Sequence, residues 1–210
     1  MSGKHALVVI GGPPPAIVTT IPEADLVIAA DRGADHAMGL DLTVDLLVGD
    51  MDSVSSAALA DCREVIRHPT DKDCTDLELA LAAASDAGAS SVTIVGSAAG
   101  RVDHALGNLL VVASERWAEM RVDLVLDGTR VYVVRDALTV DGKTGQPVTL
   151  LAVGGPARTV TTTGLRWPLA KATLEAGSGL GLSNEITHSE ATVEVGSGVV
   201  LVVLPGLEHP

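Results

Sequence analysis

The feature that most constrains this chain is an alternation of short apolar runs with segments of helical spacing over its first 127 residues. Such an alternation predicts a βαβα series, and hence an open α/β sheet whose strands are mostly parallel. Because the runs are continuously apolar, we expect these strands to be buried on both faces. The predicted strands are HALVVI, DLVIAA, DLLVGD, EVIRHP, SVTIVGS and VDLVLD.

Two of the segments between these strands have apolar residues at positions i, i+3, i+4 and i+7, the spacing of a helix with one buried face. The first segment, TDLELALAAASDAG, also contains Thr75 and Glu78 in the S/T-x-x-E pattern of a capping box. The second segment, DHALGNLLVVASERW, extends the pattern as far as a tryptophan. The predicted buried positions are Leu77, Ala80, Leu81, Ala84, Leu106, Leu109, Leu110, Ala113 and Trp117.

After about residue 128 the chain becomes rich in Thr, Val and Gly and loses its helical spacing. Turn signals recur roughly every 8 to 12 residues, which predicts a small antiparallel β domain, either a sandwich or an open barrel. We therefore predict an α/β domain over residues 1–127 and an all-β domain over residues 128–210, and of the two forms we expect the sandwich.

Composition and charge narrow the function. The chain has 210 residues, of which 47% are apolar, so it can form a substantial core. Its net charge is −13 and no window concentrates Lys or Arg, which argues against binding to nucleic acid. The apolar runs are shorter than the roughly 20 residues that span a bilayer, and the N-terminus lacks the features of a signal peptide. We expect a cytoplasmic protein that does not bind membranes.

Aspartates follow four consecutive predicted strands, in AADRGAD, GDMDS, HPTDKDCTD and GSAAGRVDH. In an open α/β sheet, ligands bind beyond the carboxyl ends of the strands, so these segments are expected to meet at one edge. Like charges gathered there repel each other unless a cation neutralises them, and oxygen-only ligands favour Mg²⁺. If the loops are adjacent, Asp50, Asp52 and Asp76 are the expected ligands.

The segment GSAAGRVDH also suggests phosphate binding, because it follows a strand and opens a helix. Gly96 and Gly100 would let backbone N–H groups approach a phosphate at the helix N-terminus. Arg101 and Lys72 lie in the same predicted rim, where a phosphate clamp needs cations. For either residue taken alone, a solvated surface charge is an equally good interpretation.

Six segments resemble, in order and spacing, those of the thiamine pyrophosphokinase family: DRGA, VGDMDS, DKDCTDLELAL, GRVDHALGNL, TTTGLRWPL and GLSNE. The resemblance covers essentially the whole chain. It implies transfer of the pyrophosphoryl group of ATP to the hydroxyl of thiamine, with release of AMP. It also implies a homodimer in which the α/β domain of one subunit and the β domain of the other form each thiamine pocket.

The resemblance further implies a role for each matching residue, and its Mg²⁺ ligands are the Asp50, Asp52 and Asp76 already selected by charge crowding. The expected catalytic residues are Asp50, Asp52, Asp73, Asp76, Asp103 and Lys72. The expected ATP-binding residues are Asp31, Gly33, Thr75, Gly96, Arg101, His104 and Asn108. The expected thiamine-binding residues are Asp103, Trp167, Ser183 and Asn184.

Several alternatives stay open at this point. Asp73 and Asp103 are both candidates for accepting the hydroxyl proton. Trp167 could hold cationic thiamine against its ring or could be a core residue of the β domain. Met51 stands where the family usually has an aromatic residue, and Ala99 adds a Cβ to a loop that is usually richer in glycine. The rival functions are pyrophosphate transfer to another alcohol, such as a pterin, and non-catalytic binding of a nucleotide or vitamin.

Overall fold

The computed structural model describes residues 3–16 and 21–206. The chain forms two compact units. The first comprises Met1–Val111 and Glu119–Gly128, and the second comprises Val112–Ala118 and Thr129–Pro210. The short segment Val112–Ala118 thus belongs with the second unit, and the predicted domain boundary at residues 127 and 128 stays a prediction.

The first unit contains a six-stranded parallel sheet with the strand order β4-β3-β2-β1-β5-β6. Its strands are β1 (Lys4–Val9), β2 (Leu26–Ala30), β3 (Leu46–Gly49), β4 (Glu64–Arg67), β5 (Ala89–Gly96) and β6 (Arg121–Leu126). The predicted open α/β sheet is therefore confirmed. The strand order reverses between β1 and β5, which makes the carboxyl ends of these two strands the topological switch point of the sheet.

Four helices connect these strands: α1 (Gly33–Gly39), α2 (Ser56–Asp61), α3 (Asp76–Asp86) and α4 (Val102–Val112). Helix α3 has the predicted capping box, in which the Thr75 hydroxyl accepts from the Glu78 N–H and the Glu78 carboxylate accepts from the Thr75 N–H. Its buried face is the predicted one, and it consists of Leu77, Ala80, Leu81 and Ala84.

The predicted buried face of helix α4 is wrong at Leu106 and Leu110, whereas Trp117 is buried as predicted. Leu106 and Leu110 are 57% and 60% exposed, and Val112 is the buried residue of this helix. The pattern correctly indicated a helix, because side chains at i and i+4 share a face whatever that face contacts. Burial depends on a packing partner, which periodicity does not specify.

Helix α4 also ends before the predicted Trp117, which lies in a separate 3₁₀ turn over Glu115–Trp117. The Arg135 guanidinium donates to the carbonyl oxygens of Ala113 and Ser114 at 2.9 and 2.7 Å. These bonds hold the segment that directly follows the helix, where the Ser114 carbonyl also accepts from the Trp117 N–H at 3.1 Å. Arg135, 21 positions after Ser114 in the chain, therefore stabilises this segment.

Burial on both faces is also wrong for β4. Glu64 and Arg67 are exposed and Ile66 is 40% exposed. Strand β4 lies at the edge of the sheet, where charged side chains oppose the pairing of its outer edge with another chain.

The second unit contains seven strands in which every pair is antiparallel. They are β7 (Thr129–Val134), β8 (Ala137–Asp141), β9 (Pro147–Thr163), β10 (Ala172–Leu174), β11 (Asn184–Glu185), β12 (Glu190–Glu194) and β13 (Ser197–Leu204). The long strand β9 pairs mainly with β13 before Gly154 and Gly155, and with β12 near its end. Both glycines have positive φ, at 72° and 155°, which lets the strand pass from one sheet to the other. This confirms the predicted β-sandwich.

No helix within residues 3–16 and 21–206 is long and apolar enough to cross a membrane.

The two glycines of helix α1 provide a matched test of the packing between this helix and β1. A Cβ on Gly33 would lie 2.0 Å from the carbonyl oxygen of Val9, a backbone atom of β1, whereas a Cβ on Gly39 would meet nothing within 4 Å. Because the strand cannot yield locally, we expect Gly33→Ala to lower the free energy of unfolding by about 2 kcal/mol. Gly39→Ala should leave it unchanged or raise it by up to roughly 1 kcal/mol. Urea denaturation measures both, and equal effects would contradict the close approach at Gly33.

Candidate active site at the carboxyl edge of the parallel sheet

Three aspartates converge beyond the carboxyl ends of β2 and β3. Asp31 follows β2, and Asp50 and Asp52 follow β3. Each offers a carboxylate oxygen, and the three oxygens lie within 4.8 Å of one another. The chain reaches this arrangement through left-handed backbone at Asp31 and Met51, with φ of 47° and 67°, which costs energy for residues other than glycine.

The electrostatics of this cluster reflect its crowding. The negative charge of Asp50 is the main cause that raises the pKa of the Asp52 carboxyl above its usual value, and Asp31 and Asp76 contribute. The pKa of Asp50 is lowered, chiefly because its carboxylate accepts a hydrogen bond from the Asp52 N–H at 3.1 Å, and also because Lys72 is nearby. The loop thus stabilises one carboxylate as an anion while the next one is repelled by it.

Asp31 has one carboxylate oxygen available. Its Oδ2 accepts a hydrogen bond from the Ser53 hydroxyl, and its Oδ1 is buried without a hydrogen-bond partner among the described residues. A buried anionic oxygen without a donor is costly. A hard divalent cation would satisfy it, and three carboxylates are a suitable set of oxygen ligands for such an ion. The residues present therefore fit a metal site of this kind.

Lys72 lies between two of the predicted ligands. Its ammonium nitrogen is 3.2 Å from Oδ1 of Asp76 and 3.7 Å from Oδ2 of Asp50, and its side chain is only 14% exposed. Burial acts to lower the pKa of Lys72, but the hydrogen bond and charge of Asp76, together with the charge of Asp50, raise it above its usual value. Asp76 therefore contacts the cluster through Lys72, whereas Asp31 joins it directly.

Arg101 and Asp103 form an exposed ion pair at the start of α4. Nε and Nη2 of Arg101 donate to the two carboxylate oxygens of Asp103 at 3.2 and 2.5 Å. The hydrogen bond from Arg101 is the main cause that lowers the pKa of Asp103 to about 2. The family resemblance assigned these two residues to different substrates, and the structure joins them by two parallel hydrogen bonds.

The predicted phosphate loop between β5 and α4 uses part of its own backbone internally. The Ala98 N–H donates to Asp127 Oδ2 at 2.9 Å, and the Ala99 N–H donates to the Ser97 hydroxyl at 3.0 Å. Gly96 is the last residue of β5, and a Cβ there would lie 2.4 Å from the Ile10 side chain. The amide of Ala98 is therefore engaged by Asp127 and that of Ala99 within the loop, whereas the Arg101 side chain is 70% exposed.

For four other predicted residues the structure gives the element and the exposure. Gly33 is buried at the start of α1, where it packs against β1. Asp73 is exposed in the loop before α3, while His104 is exposed and Asn108 half-buried on α4. Their assigned roles stay predictions.

A depression of about 340 Å³ beside the carboxylate cluster contains residues that the sequence reasoning missed. Arg32 and His36 line it together with Asp52 and Ser53. His36 is buried and its Nδ1 is 3.0 Å from the Ile10 carbonyl oxygen. The one available signal was the position of Arg32 in the segment DRGA, directly after an aspartate at a strand end.

In the second unit, the buried Asn184 holds the backbone of Trp167. Its Oδ1 accepts from the N–H groups of Trp167 at 3.1 Å and of Glu185 at 2.9 Å, and its Nδ2 donates to the Trp167 carbonyl at 2.8 Å. Asn184 is 4% exposed, whereas Trp167 is 53% exposed. Trp167 is thus a surface residue of the β-sandwich, and the buried Asn184 positions it through hydrogen bonds to its backbone.

One face of the Trp167 ring is already covered by a cation. The Arg166 guanidinium carbon lies 4.8 Å from the ring centroid, and the Arg166 guanidinium forms an ion pair with Glu185 at 2.9 Å. A second cation can therefore stack only on the opposite face. Ser183 is exposed next to this group in the chain, with a φ of 54° and its N–H bonded to the Thr149 hydroxyl at 3.1 Å.

Removing the Asn184 amide should release Trp167. We expect Asn184→Ala to lower the free energy of unfolding by about 2 kcal/mol, because it leaves backbone groups of Trp167 and Glu185 without partners. In a Trp117→Phe background, where Trp167 is the remaining tryptophan, acrylamide quenching and fluorescence anisotropy would show a more mobile indole. Ser183→Ala is the control and should change neither quantity. An unchanged anisotropy in a folded Asn184→Ala protein would contradict the positioning role.

Comparison with known proteins identifies the family. Residues 18–124 match the family model described as "Thiamin pyrophosphokinase, catalytic domain", and residues 137–200 match the one described as "Thiamin pyrophosphokinase, vitamin B1 binding domain". The chain is 23% identical over 209 residues to the thiamine pyrophosphokinase of Bacillus subtilis, covering 95% of this chain and 98% of that one. It is 26% identical over 173 residues to thiamine pyrophosphokinase 1 of Oryza sativa, where the match covers 75% of this chain and 64% of the plant protein.

Solved structures agree with these matches in fold. The crystal structure of the Bacillus subtilis thiamine pyrophosphokinase superposes with a TM-score of 0.84 at 24% identity, covering 97% of this chain and 99% of that one. A thiamin pyrophosphokinase family protein from Enterococcus faecalis superposes with a TM-score of 0.81 at 25% identity, covering 96% and 98%. Since the two family models together span most of the chain, this protein belongs to the thiamin pyrophosphokinase family.

Proposed function

We propose that this protein transfers the pyrophosphoryl group of ATP to the hydroxyl of thiamine, giving thiamine pyrophosphate and AMP, with Mg²⁺ as cofactor. The observation that carries the proposal is the convergence of Asp31, Asp50 and Asp52, with Lys72 adjacent, in a member of this family. The unpartnered oxygen of Asp31 and the raised pKa of Asp52 both support cation binding at this cluster.

Asp50 and Asp52 would hold Mg²⁺ together with Asp31. Asp76, which the family resemblance implies as a ligand beside Asp50 and Asp52, would be a fourth ligand once Lys72 moves away from it. When bound, the ion would neutralise charge on the phosphate oxygens of ATP. Lys72, once released from Asp76, supplies a positive charge to the same oxygens.

The chain's other charged residues would orient the substrates and handle charge. Arg101 would leave Asp103 to bind the phosphates of ATP, because a guanidinium binds phosphate through two parallel hydrogen bonds. Asp103 would then be free to interact with thiamine, which is a cation. Asp73 and Asp103 both remain candidates for accepting the hydroxyl proton. Asp103 is a poor proton acceptor while it is paired with Arg101, since its pKa is then about 2.

Trp167 would receive thiamine on the ring face opposite Arg166. The exposure of the indole and the cation already stacked on it support an electrostatic preference of this ring for positive charge. Ser183 would contribute a polar contact from the same segment, whereas Asn184 acts by positioning Trp167. A cytoplasmic location remains a prediction.

The proposed reaction is tested by mixing the protein with ATP and Mg²⁺, with and without thiamine, and measuring AMP and thiamine pyrophosphate in the same samples. We expect AMP and thiamine pyrophosphate in equal amounts, and only when thiamine is present. Asp52→Asn should lower kcat by about a hundredfold or more, because it removes a carboxylate from the proposed metal site. The control is Asp86→Asn at the exposed end of α3, which should retain full activity.

The outcomes of this experiment are distinct. If folded wild-type protein releases no AMP with thiamine, the proposed reaction is wrong. If AMP is released with a pterin alcohol and not with thiamine, the acceptor is the pterin alcohol. Near-normal activity of Asp52→Asn would overturn the metal assignment and leave the reaction itself standing.

We also propose that the working unit is a homodimer, as the family resemblance implies. Helix α4 supports this, because Val102, Leu106 and Leu110 form a row at i, i+4 and i+8 with exposures of 70%, 57% and 60%. Three large apolar side chains in contact with water along one helix face are typical of an interaction surface.

Light scattering after size-exclusion chromatography measures the assembly. We expect the wild type at twice the 21.4 kDa mass of the chain, and Leu106→Glu at the mass of the monomer, because a charge in an apolar interface is costly. Met38→Glu, at a 38% exposed position on α1, is the control and should remain a dimer. A dimeric Leu106→Glu protein would exclude this face as the interface, and a monomeric wild type would overturn the proposed dimer.

A further inference from the structure

Asp127, which directly follows β6, bonds to two separate loops of the first unit. Its Oδ1 accepts from the Ala16 N–H at 2.9 Å, and its Oδ2 accepts from the Ser97 hydroxyl at 2.8 Å and the Ala98 N–H at 2.9 Å. Its own N–H donates to the Gly96 carbonyl at 3.3 Å, and its φ of 48° is in the left-handed region. One side chain thus joins the loop after β1 to the loop after β5.

These two loops also pack directly against each other. Gly100 has a φ of 84°, and a Cβ at this position would lie 2.9 Å from Cγ of Pro13. Because β1 and β5 flank the point where the strand order reverses, their carboxyl ends are where an open α/β sheet places its ligand. The contacts of Asp127 therefore lie at the structurally favoured binding edge.

The bonding of Asp127 indicates a structural anion. Burial acts to raise its pKa, but hydrogen bonds from the Ala16 N–H, the Ser97 hydroxyl and the Ala98 N–H outweigh that effect and lower it. The carboxylate is thus charged at neutral pH. A negative charge next to a loop that binds phosphate repels the phosphate. Asp127 can therefore favour binding only through the conformation that it imposes on the loop.

We propose that Asp127 is a positioning residue for ATP binding, which holds the loop of residues 96–101 in the conformation that directs Arg101 to the phosphates. Ser97 is its partner in this role, because the Ser97 hydroxyl donates to Asp127 and accepts from the Ala99 N–H. This inference rests on the proposed function only in taking ATP as the ligand of the loop.

The test compares three variants of the 210-residue chain. In Asp127→Asn, an N–H₂ group replaces one accepting oxygen, so at least one loop loses its bond. We expect the KM for ATP to rise about tenfold, and the dissociation constant of a non-hydrolysable Mg-ATP analogue, measured by calorimetry, to rise by the same factor. The kcat and the KM for thiamine should stay within about twofold of the wild-type values. Ser97→Ala should raise the KM for ATP and this dissociation constant by a smaller factor.

Asp45→Asn is the matched control. Asp45 also bonds a backbone N–H, that of Val27 at 2.9 Å, and contacts Arg63 at 2.5 Å, but it lies at the amino end of β3. It should lower stability without changing the KM for ATP. If Asp45→Asn raises that KM as much as Asp127→Asn does, the effect is general destabilisation and the proposal is overturned.

Amide hydrogen exchange separates this inference from the reaction itself. In Asp127→Asn, exchange should accelerate in residues 11–16 and 96–101, and in Asp45→Asn it should not. If wild-type protein binds no Mg-ATP analogue, the proposed function fails, while the exchange data still report whether Asp127 holds the loops. Unchanged exchange in these segments, or an unchanged KM for ATP in folded Asp127→Asn, would overturn the positioning role.

Discussion

Repulsion among carboxylates at the carboxyl edge of the parallel sheet is the constraint on which the rest of the candidate site depends. Asp31, Asp50 and Asp52 approach within 4.8 Å through their carboxylate oxygens, and the resulting charge raises the pKa of Asp52. Lys72, almost enclosed between Asp50 and Asp76, provides one compensating charge. A chain gains no stability from such an arrangement, and this supports the proposal that the cluster binds a cation.

In both units, a polar side chain bonded to the backbone fixes a segment that carries an exposed side chain. Asn184 is almost fully buried and saturates the backbone groups around Trp167. Asp127 does the same for the loop that leads to Arg101. A polar group with all its hydrogen bonds formed defines one local geometry, because any displacement leaves donors or acceptors without partners. The conformation of the segment that carries an exposed side chain is thus fixed by hydrogen bonds from the polar side chain packed against that segment.

The sequence-based predictions are accurate where the interactions join residues close together in the chain, and they fail where the interactions join distant residues. Helix α3 was predicted with its capping box and its buried face, because Thr75 and Glu78 interact over three residues and because the helix packs on the sheet as an amphipathic helix should. Helix α4 has equally good periodicity, yet Leu106 and Leu110 are exposed. The segment after this helix is held by Arg135, which is distant in the sequence.

The sequence by itself determined the parallel α/β unit, the antiparallel sandwich, the strand ends that carry aspartates and the family, because these depend on local spacing and ordered motifs. Only the tertiary structure decided that Asp31 joins Asp50 and Asp52 while Asp76 contacts Lys72, and that Asp127 links two loops. The physical reason is that distances between side chains far apart in the chain are set by strand order and by backbone turns of a few residues. Neither of these leaves a periodic signal in the sequence.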